Sequence, residues 1–469
     1  MKVLLIWPYH GDKKIQYIPL SLAYLSANID QNKHHVEILD TVLENLKPNS
    51  NEFLEAVRNH SADIIGFSLT SDKFANTVSF ARGIKSQFPR IPIIVGGIHV
   101  TSYTQETMTY DCFDYGFTGE AEFAFPQFLD ALEEGNSIED IPGLCFRSSD
   151  GKVKRNIFKT PEILDQIRRP SWEDIDLIRY YDSGYNLMHA KTDHAPIWIS
   201  RGCPYRCQFC ASPDINGRKM RYHSPDYVEE WIRYLYKNLN VRYFNIIDDN
   251  FTFEMDKSKE ILRRLCNIRE ELQGINFGFP NGIRMQRVDE EMCHLISKAG
   301  FLHICLAPES GSSSILKLMQ KGMKPEIIKP KIEMFKAAGL KVTTFWIVGY
   351  PGETVETLEE TRKIIMSSGT NMIGLHRFQA LPGTPIFDKL VSDKKISRSY
   401  LPHSYHMASN DDYVTEELNH KIISSYQNKV YLQHYLTKPW NLINYIKIVG
   451  FRTFILRLIQ VFTQWKTVG

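Results

Sequence analysis

Short apolar runs and longer amphipathic stretches alternate along most of this chain. In its first part the apolar runs fall at residues 2–7, 35–39, 64–68, 91–95 and 115–118. Stretches of helical period separate them, as at residues 19–30 and 73–87. Strand alternating with helix predicts an α/β fold with a doubly wound parallel sheet, which binds ligands outside the carboxyl ends of its strands. The residues at those ends therefore become binding candidates: Tyr9, Ser68, Thr70, Gly96, Gly97, Gly119 and Glu120. Glycines and small side chains there let the backbone approach a large flat ligand closely. No G-x-G-x-x-G follows the first run, which argues against a dinucleotide.

Residues 136–194 lose this rhythm and read as a linker draped over its neighbours. Tyr180, Tyr181 and Tyr185 are candidates to line a substrate cavity or to pack the domain junction, and packing is favoured. From residue 195 the alternation resumes, with runs at 195–200, 243–248, 276–281, 302–307, 341–348 and 372–380. Six repeats predict a partial (β/α)6 barrel whose site faces the C-terminal strand ends. The chain thus divides into a sheet domain (1–135), the linker (136–194), the barrel (195–390) and a helical C-terminal extension (391–469). Within the extension, residues 440–465 are apolar and aromatic, interrupted by Lys447, Arg452 and Arg457. No charge-free run reaches membrane-spanning length. On a helix these cations point in three directions, so they make no single basic face. Docking onto the barrel is the favoured reading, and peripheral attachment to a membrane, or a lipid-like substrate, is the sharper one.

Composition adds little until the cysteines are considered. The 469 residues are 43% hydrophobic and 23% charged, ordinary values for a globular protein with sizeable cores. A formal charge of +2 gives no reason to expect a nucleic-acid partner. The amino-terminal apolar run ends at Pro8 without a small-residue cleavage site and reads as a strand. Five of the eight cysteines (Cys112, Cys145, Cys266, Cys293, Cys305) are scattered singly. That excludes a disulfide framework and points to a reducing cytoplasm.

The other three stand together in Arg201-Gly202-Cys203-Pro204-Tyr205-Arg206-Cys207-Gln208-Phe209-Cys210, directly after the first barrel strand. Random placement of the cysteines would give this C-x3-C-x2-C spacing roughly two times in a thousand. Three thiolates converging from one loop suit a soft metal or an iron–sulfur cluster. A structural zinc site wants a fourth ligand at comparable spacing, and neither Cys266 nor His223 forms a second paired knuckle. Three ligands and an open corner make a catalytic arrangement.

With Phe209 before its last cysteine, this loop resembles the cluster loop of the radical S-adenosylmethionine (SAM) enzymes. The resemblance implies a [4Fe–4S] cluster on Cys203, Cys207 and Cys210, with SAM on the fourth iron. Three later stretches resemble the family's SAM-handling motifs. Asp248-Asp249-Asn250-Phe251 ends the second barrel strand, and Asp249 is the expected acceptor for the SAM amino group. Glu309-Ser310-Gly311-Ser312 ends the fourth and resembles the ribose-contacting segment. Ile347-Val348-Gly349-Tyr350-Pro351-Gly352-Glu353 ends the fifth and resembles the adenine-contacting turn, with Ile347 and Gly349 as the contacts. Phe345 stands where that loose pattern often has glycine. The stretch Ala380-Leu381-Pro382-Gly383-Thr384-Pro385 closes the barrel as in the cobalamin-dependent subfamily.

The first domain resembles the cobalamin-binding domain that precedes the barrel in that subfamily, through Pro19-Leu20-Ser21-Leu22-Ala23-Tyr24-Leu25, Gly66-Phe67-Ser68-Leu69-Thr70, Val95-Gly96-Gly97-Ile98-His99 and Gly119-Glu120-Ala121-Glu122. The cobalt-ligating D-x-H-x-x-G signature is absent; His10 lacks the preceding Asp and reads as a surface-loop residue. By resemblance, the expected enzyme methylates an unactivated carbon or a phosphinate phosphorus, fed by an external donor of flavodoxin or ferredoxin type. An oxidative cyclase or rearrangement enzyme of the same architecture is the second reading. A cobalamin- or redox-responsive binding protein is the third, and it leaves the SAM-like strand ends without a purpose.

Overall fold

The computed structural model describes residues 1–8, 18–182, 193–401, 413, 415 and 417–449. Tyr9, His10 and Tyr185 lie outside them, as does the segment that holds Arg452 and Arg457.

Five strands of the first domain run parallel: β1 (Lys2–Trp7), β2 (His35–Asp40), β3 (Ile64–Ser68), β4 (Ile93–Gly96) and β5 (Tyr115–Phe117). Their order, β2-β1-β3-β4-β5, reverses direction between β1 and β3, which opens a crevice at the carboxyl ends there. Two strands within the expected linker, β6 (Leu144–Arg147) and β7 (Val153–Arg155), extend this sheet as an antiparallel hairpin. They are short, and β7 is largely exposed, so they carry little hydrophobic period to betray them. Helices cover both faces, and two apolar clusters fill the layers, one around Phe53, Phe80 and Phe113, the other around Phe117, Phe125 and Phe128.

The barrel uses β8 (His194–Ile197), a hairpin of β9 (Ser200–Arg201) and β10 (Arg221–Tyr222), then β11 (Tyr243–Ile246), β12 (Asn276–Gly278), β13 (His303–Glu309), β14 (Lys341–Val348) and β15 (Met372–Arg377). Leaving the hairpin aside, six strands follow one another in parallel as β8-β11-β12 and β13-β14-β15. Bridges at Phe277–Phe301 and Ile283–Leu306 join the two halves into the expected partial barrel. The first run does not stay one strand. The backbone N–H groups of Ile199 and Ser200 donate to Asp248 at 2.8 Å each, which turns the chain away from β11.

The linker packs the domain junction. Trp172 and Tyr180 are fully buried in the cluster that contains the barrel core and Tyr24 of the first domain. The Tyr180 hydroxyl hydrogen-bonds the Asp40 carboxylate.

Candidate active site

The cluster loop begins at Gly202, which has φ +96 and whose missing Cβ would lie 2.2 Å from the Lys219 carbonyl oxygen. Only glycine fits there. Backbone bonds fix the loop from three sides: Cys203 N–H to Gly217 O (3.1 Å), Gln208 N–H to Met319 O (3.0 Å) and Ile386 N–H to Gln208 O (3.1 Å). The three thiols are half-buried, and burial raises the Cys203 pKa. Burial, reinforced by Asp249 and the other two cysteines, pushes Cys210 up to about 12, so cluster assembly must displace its proton. Among the described residues no three His, Cys, Asp or Glu side chains converge tightly enough for a single metal ion. A four-iron cluster, which is larger than one ion, does not require that convergence. Arg284 Nη1 donates to Cys207 Sγ at 3.2 Å, and its guanidinium stacks 3.5 Å over the Tyr205 ring.

The two aspartates after β11 divide their work. Asp248 is buried and accepts from Ile199 N–H, Ser200 N–H and the Ser200 hydroxyl (2.6 Å), while burial raises it to about 7. Asp249 accepts from Asn216 Nδ2 at 2.7 Å and lies beside the cysteines, where burial raises its pKa as well. Phe209 and Ile347 meet in one small apolar cluster with Tyr350. Glu309 follows a bulge in β13 with φ +68, a conformation costing a non-glycine residue about 1–2 kcal/mol, and accepts from Lys321 Nζ at 2.8 Å. Ser310 is turned inward: its buried hydroxyl shares a hydrogen bond with Thr361 (3.2 Å) and accepts from Ser312 N–H (3.1 Å). Gly349 N–H donates to the buried Glu353 carboxyl at 2.6 Å, and burial pushes Glu353 up to about 8.

Most of the sheet's candidates gather at a cavity that opens between the domains. Ser68, Gly96, Gly97, Gly119 and Glu120 line one side, and Trp198, Arg201 and Asn216 line the other. Ser68 shares a hydrogen bond with Ser21 at 3.1 Å. Thr70 lies outside the lining and bonds Asp72. Gly97 has φ +99 with its missing Cβ 2.6 Å from Leu69 O, so the fold itself demands glycine. Gly119 likewise makes room for the Phe158 ring. Gly96 differs: a Cβ there meets nothing closer than 3.9 Å, so its glycine leaves space the fold does not need. His99 is packed against Phe74 and bonded to Ser71, and burial lowers it to about 4.

Glu120 and Glu122 also clasp the two domains. Arg201 and Arg221 are cross-strand neighbours in the β9–β10 hairpin. Arg221 grips Glu120 with both nitrogens, and Arg201 contacts Glu122 at 2.6 Å and Glu120 at 3.4 Å. All four side chains are nearly inaccessible, and the carboxylates keep Arg201 charged despite burial. Arg201 also lies over the Trp198 and Tyr24 rings, at 4.6 and 5.0 Å. Even so, Arg201 Nε and Nη2, Trp198 Nε1 and Asn216 Oδ1 are buried at this cavity without a hydrogen-bond partner. Unspent buried donors and acceptors are costly and suit a ligand rich in amides, as cobalamin is.

The description "Radical SAM superfamily" matches residues 197–365, and "B12 binding domain" matches residues 14–129. The chain thus carries a B12 binding domain followed by a radical SAM domain. It is 27% identical over 405 residues to an uncharacterized methyltransferase of Pyrococcus horikoshii, covering 84% of each chain. It is also 27% identical over 457 residues to an anaerobic magnesium-protoporphyrin IX monomethyl ester cyclase of Rubrivivax gelatinosus, covering 93% of this chain and 80% of that one. The solved structure of the radical SAM methyltransferase TsrM from Kitasatospora setae, with cobalamin and a [4Fe–4S] cluster bound, shares its fold. The TM-score is 0.70 at 20% identity, covering 84% of this chain and 78% of that one. The two matched domains support the expected cofactors, a [4Fe–4S] cluster, SAM and cobalamin.

Sequence reading missed Arg284, Lys321 and the Arg201–Arg221 pair. Arg284 and the arginine pair act through partners 77 to 101 residues away, and Lys321 through Glu309, 12 residues before it.

Proposed function

We propose that this enzyme methylates an unactivated carbon, or a phosphinate phosphorus, of a small-molecule substrate. The supporting observation is that its two candidate sites meet at one residue. Asn216 lines the interdomain cavity, and its amide holds Asp249 beside the cluster cysteines. In this reading Cys203, Cys207 and Cys210 hold the cluster, Asp249 accepts from the SAM amino group and Glu309 faces the ribose. Ile347, Gly349 and Phe209 shape the adenine end, while Ser68, Gly96 and the unpaired groups of Arg201 and Trp198 face cobalamin. Bound there, the cofactors supply reductive SAM cleavage and a methyl carrier. The protein's own task is to orient the partners and exclude water, which is positioning more than acid–base chemistry. The five remaining cysteines are buried and separate, so electrons enter from an external donor of flavodoxin or ferredoxin type.

The test is anaerobic turnover with methyl-deuterated SAM after reconstitution with cobalamin and the cluster. Labelled methylcobalamin together with 5′-deoxyadenosine is expected. Deoxyadenosine beside unmethylated cobalamin would favour the second reading, a cyclase or rearrangement enzyme, which the near full-length alignment with the Rubrivivax cyclase supports.

A further inference from the structure

The far end of the chain has a composition unlike the rest. From Leu418 to Gly469 there is no Asp or Glu, whereas the chain's 54 acidic residues in 469 would place about six in such a stretch. The same stretch carries Lys421, Lys429, Lys438, Lys447, Arg452, Arg457 and Lys466, and its last part is dense in Phe, Ile, Leu and Trp.

Part of this stretch is described, and it has two sides. The helix His420–Leu436 runs down the barrel beside Val355–Ser367, and Pro439–Val449 follows it. On the inner side Asn441 Nδ2 donates to Thr370 O (3.2 Å), and Lys438 Nζ donates to Met366 O (3.1 Å). The outer side is apolar and uncovered: Leu436 is 71% exposed, Trp440 76% and Ile443 42%. Trp440 and Ile443 are three residues apart and share one face of their helix. A tryptophan exposed beside aliphatic side chains and cations, with no acidic residue near it in sequence, suits a surface that is apolar below and anionic above.

We propose that this face docks onto a bilayer containing anionic phospholipid. Trp440 and Ile443 enter the headgroup boundary, and the acid-free composition of the stretch suits an anionic lipid surface. Among the described residues no helix is long and apolar enough to cross a membrane. The position of the docked face also fixes an orientation. Thr370 and Asn371 precede β15, so the docked end lies at the amino ends of the strands, opposite the ends that carry Glu309 and Gly349. The bilayer anchors the enzyme and leaves the mouth of its site facing solution, so the attachment requires no lipid substrate.

The experiment is co-sedimentation of the full-length protein with phosphatidylglycerol-containing vesicles and with phosphatidylcholine vesicles. Sedimentation with the first alone, released by salt, is expected. Trp440→Glu and Ile443→Glu should each lose most of that binding while keeping the wild-type circular dichroism and SAM cleavage. Neither residue touches the site. Failure to sediment, equal binding to both vesicles, or variants that bind like wild type would overturn the proposal. So would self-association without vesicles that Trp440→Glu abolishes, because a second copy would then be the occupant.

Discussion

Replacing Glu120 with glutamine changes one oxygen to an amide and unbalances the clasp between the domains. The buried quartet of Arg201, Arg221, Glu120 and Glu122 is neutral, and its side chains are at most 9% exposed. The variant leaves one uncompensated guanidinium among Tyr24, Trp198 and the hairpin. Breaking a buried pair from one side costs about 3–5 kcal/mol, against 1 kcal/mol or less for an exposed pair. At about 1.4 kcal/mol per power of ten, docking of the two domains weakens by roughly two to three and a half powers of ten. Trp198 lies 4.6 Å from the Arg201 guanidinium, so its share of the fluorescence of seven tryptophans, isolated by difference against Trp198→Phe, reports the junction during urea denaturation. Adding Arg221→Gln restores neutrality, and the double variant should cost less than the two singles together by about 0.5–3 kcal/mol. Salt should change these values little, because the quartet is shielded from solvent. A cost below about 1 kcal/mol for Glu120→Gln, or strict additivity, would refute a desolvated clasp.

Other perturbations probe the two sites separately. Gly96→Ala should leave the melting transition unchanged while weakening cobalamin binding in absorbance titrations, because its Cβ fills space only a ligand needs. Gly97→Ala should destabilise the apoprotein instead, since its Cβ strikes the Leu69 backbone. Arg284→Met removes a donor from the Cys207 sulfur, so the reduced cluster loses stabilisation. Redox titration followed by electron paramagnetic resonance should give a more negative midpoint potential, and an unchanged or higher value would refute this role. Glu353 holds a pKa of about 8 in the fold against 4.5 ordinarily. Between these values the native state keeps a proton that the unfolded chain releases. Its contribution to stability is therefore complete below the lower value and lost as pH rises through the upper one. Between about pH 5 and pH 8 the urea midpoint of Glu353→Gln should fall less, or rise more, than that of the wild type, and the difference between the two curves isolates Glu353 from Asp248 and from the buried His99 and His434.

Much of the architecture was legible because it rests on local period. The apolar runs at 2–7 and 64–68 coincide with β1 and β3, and all six parallel barrel strands stand where alternation places them. Boundaries shifted where a side chain intervened. The run at 195–200 breaks because Asp248 captures two backbone donors, and β15 ends at Arg377 as Phe378 turns into the apolar cluster around Tyr350. At the sites, motif order placed Asp249 beside the cysteines and Ile347 in one cluster with Phe209 of their loop. It could not show that the Ser310 hydroxyl is spent on Thr361, or that the Glu120 carboxylate is held by two arginines. Those facts depend on partners 51 to 101 residues away, which leave no mark on local pattern.

The central claim is that one cluster and one cobalamin are held against each other across Asn216. Pulsed electron paramagnetic resonance on anaerobic protein carrying a reduced cluster and cob(II)alamin measures their magnetic coupling directly. Strong dipolar coupling that collapses in Glu120→Gln is the predicted result. Two uncoupled centres in the wild-type protein would contradict the account.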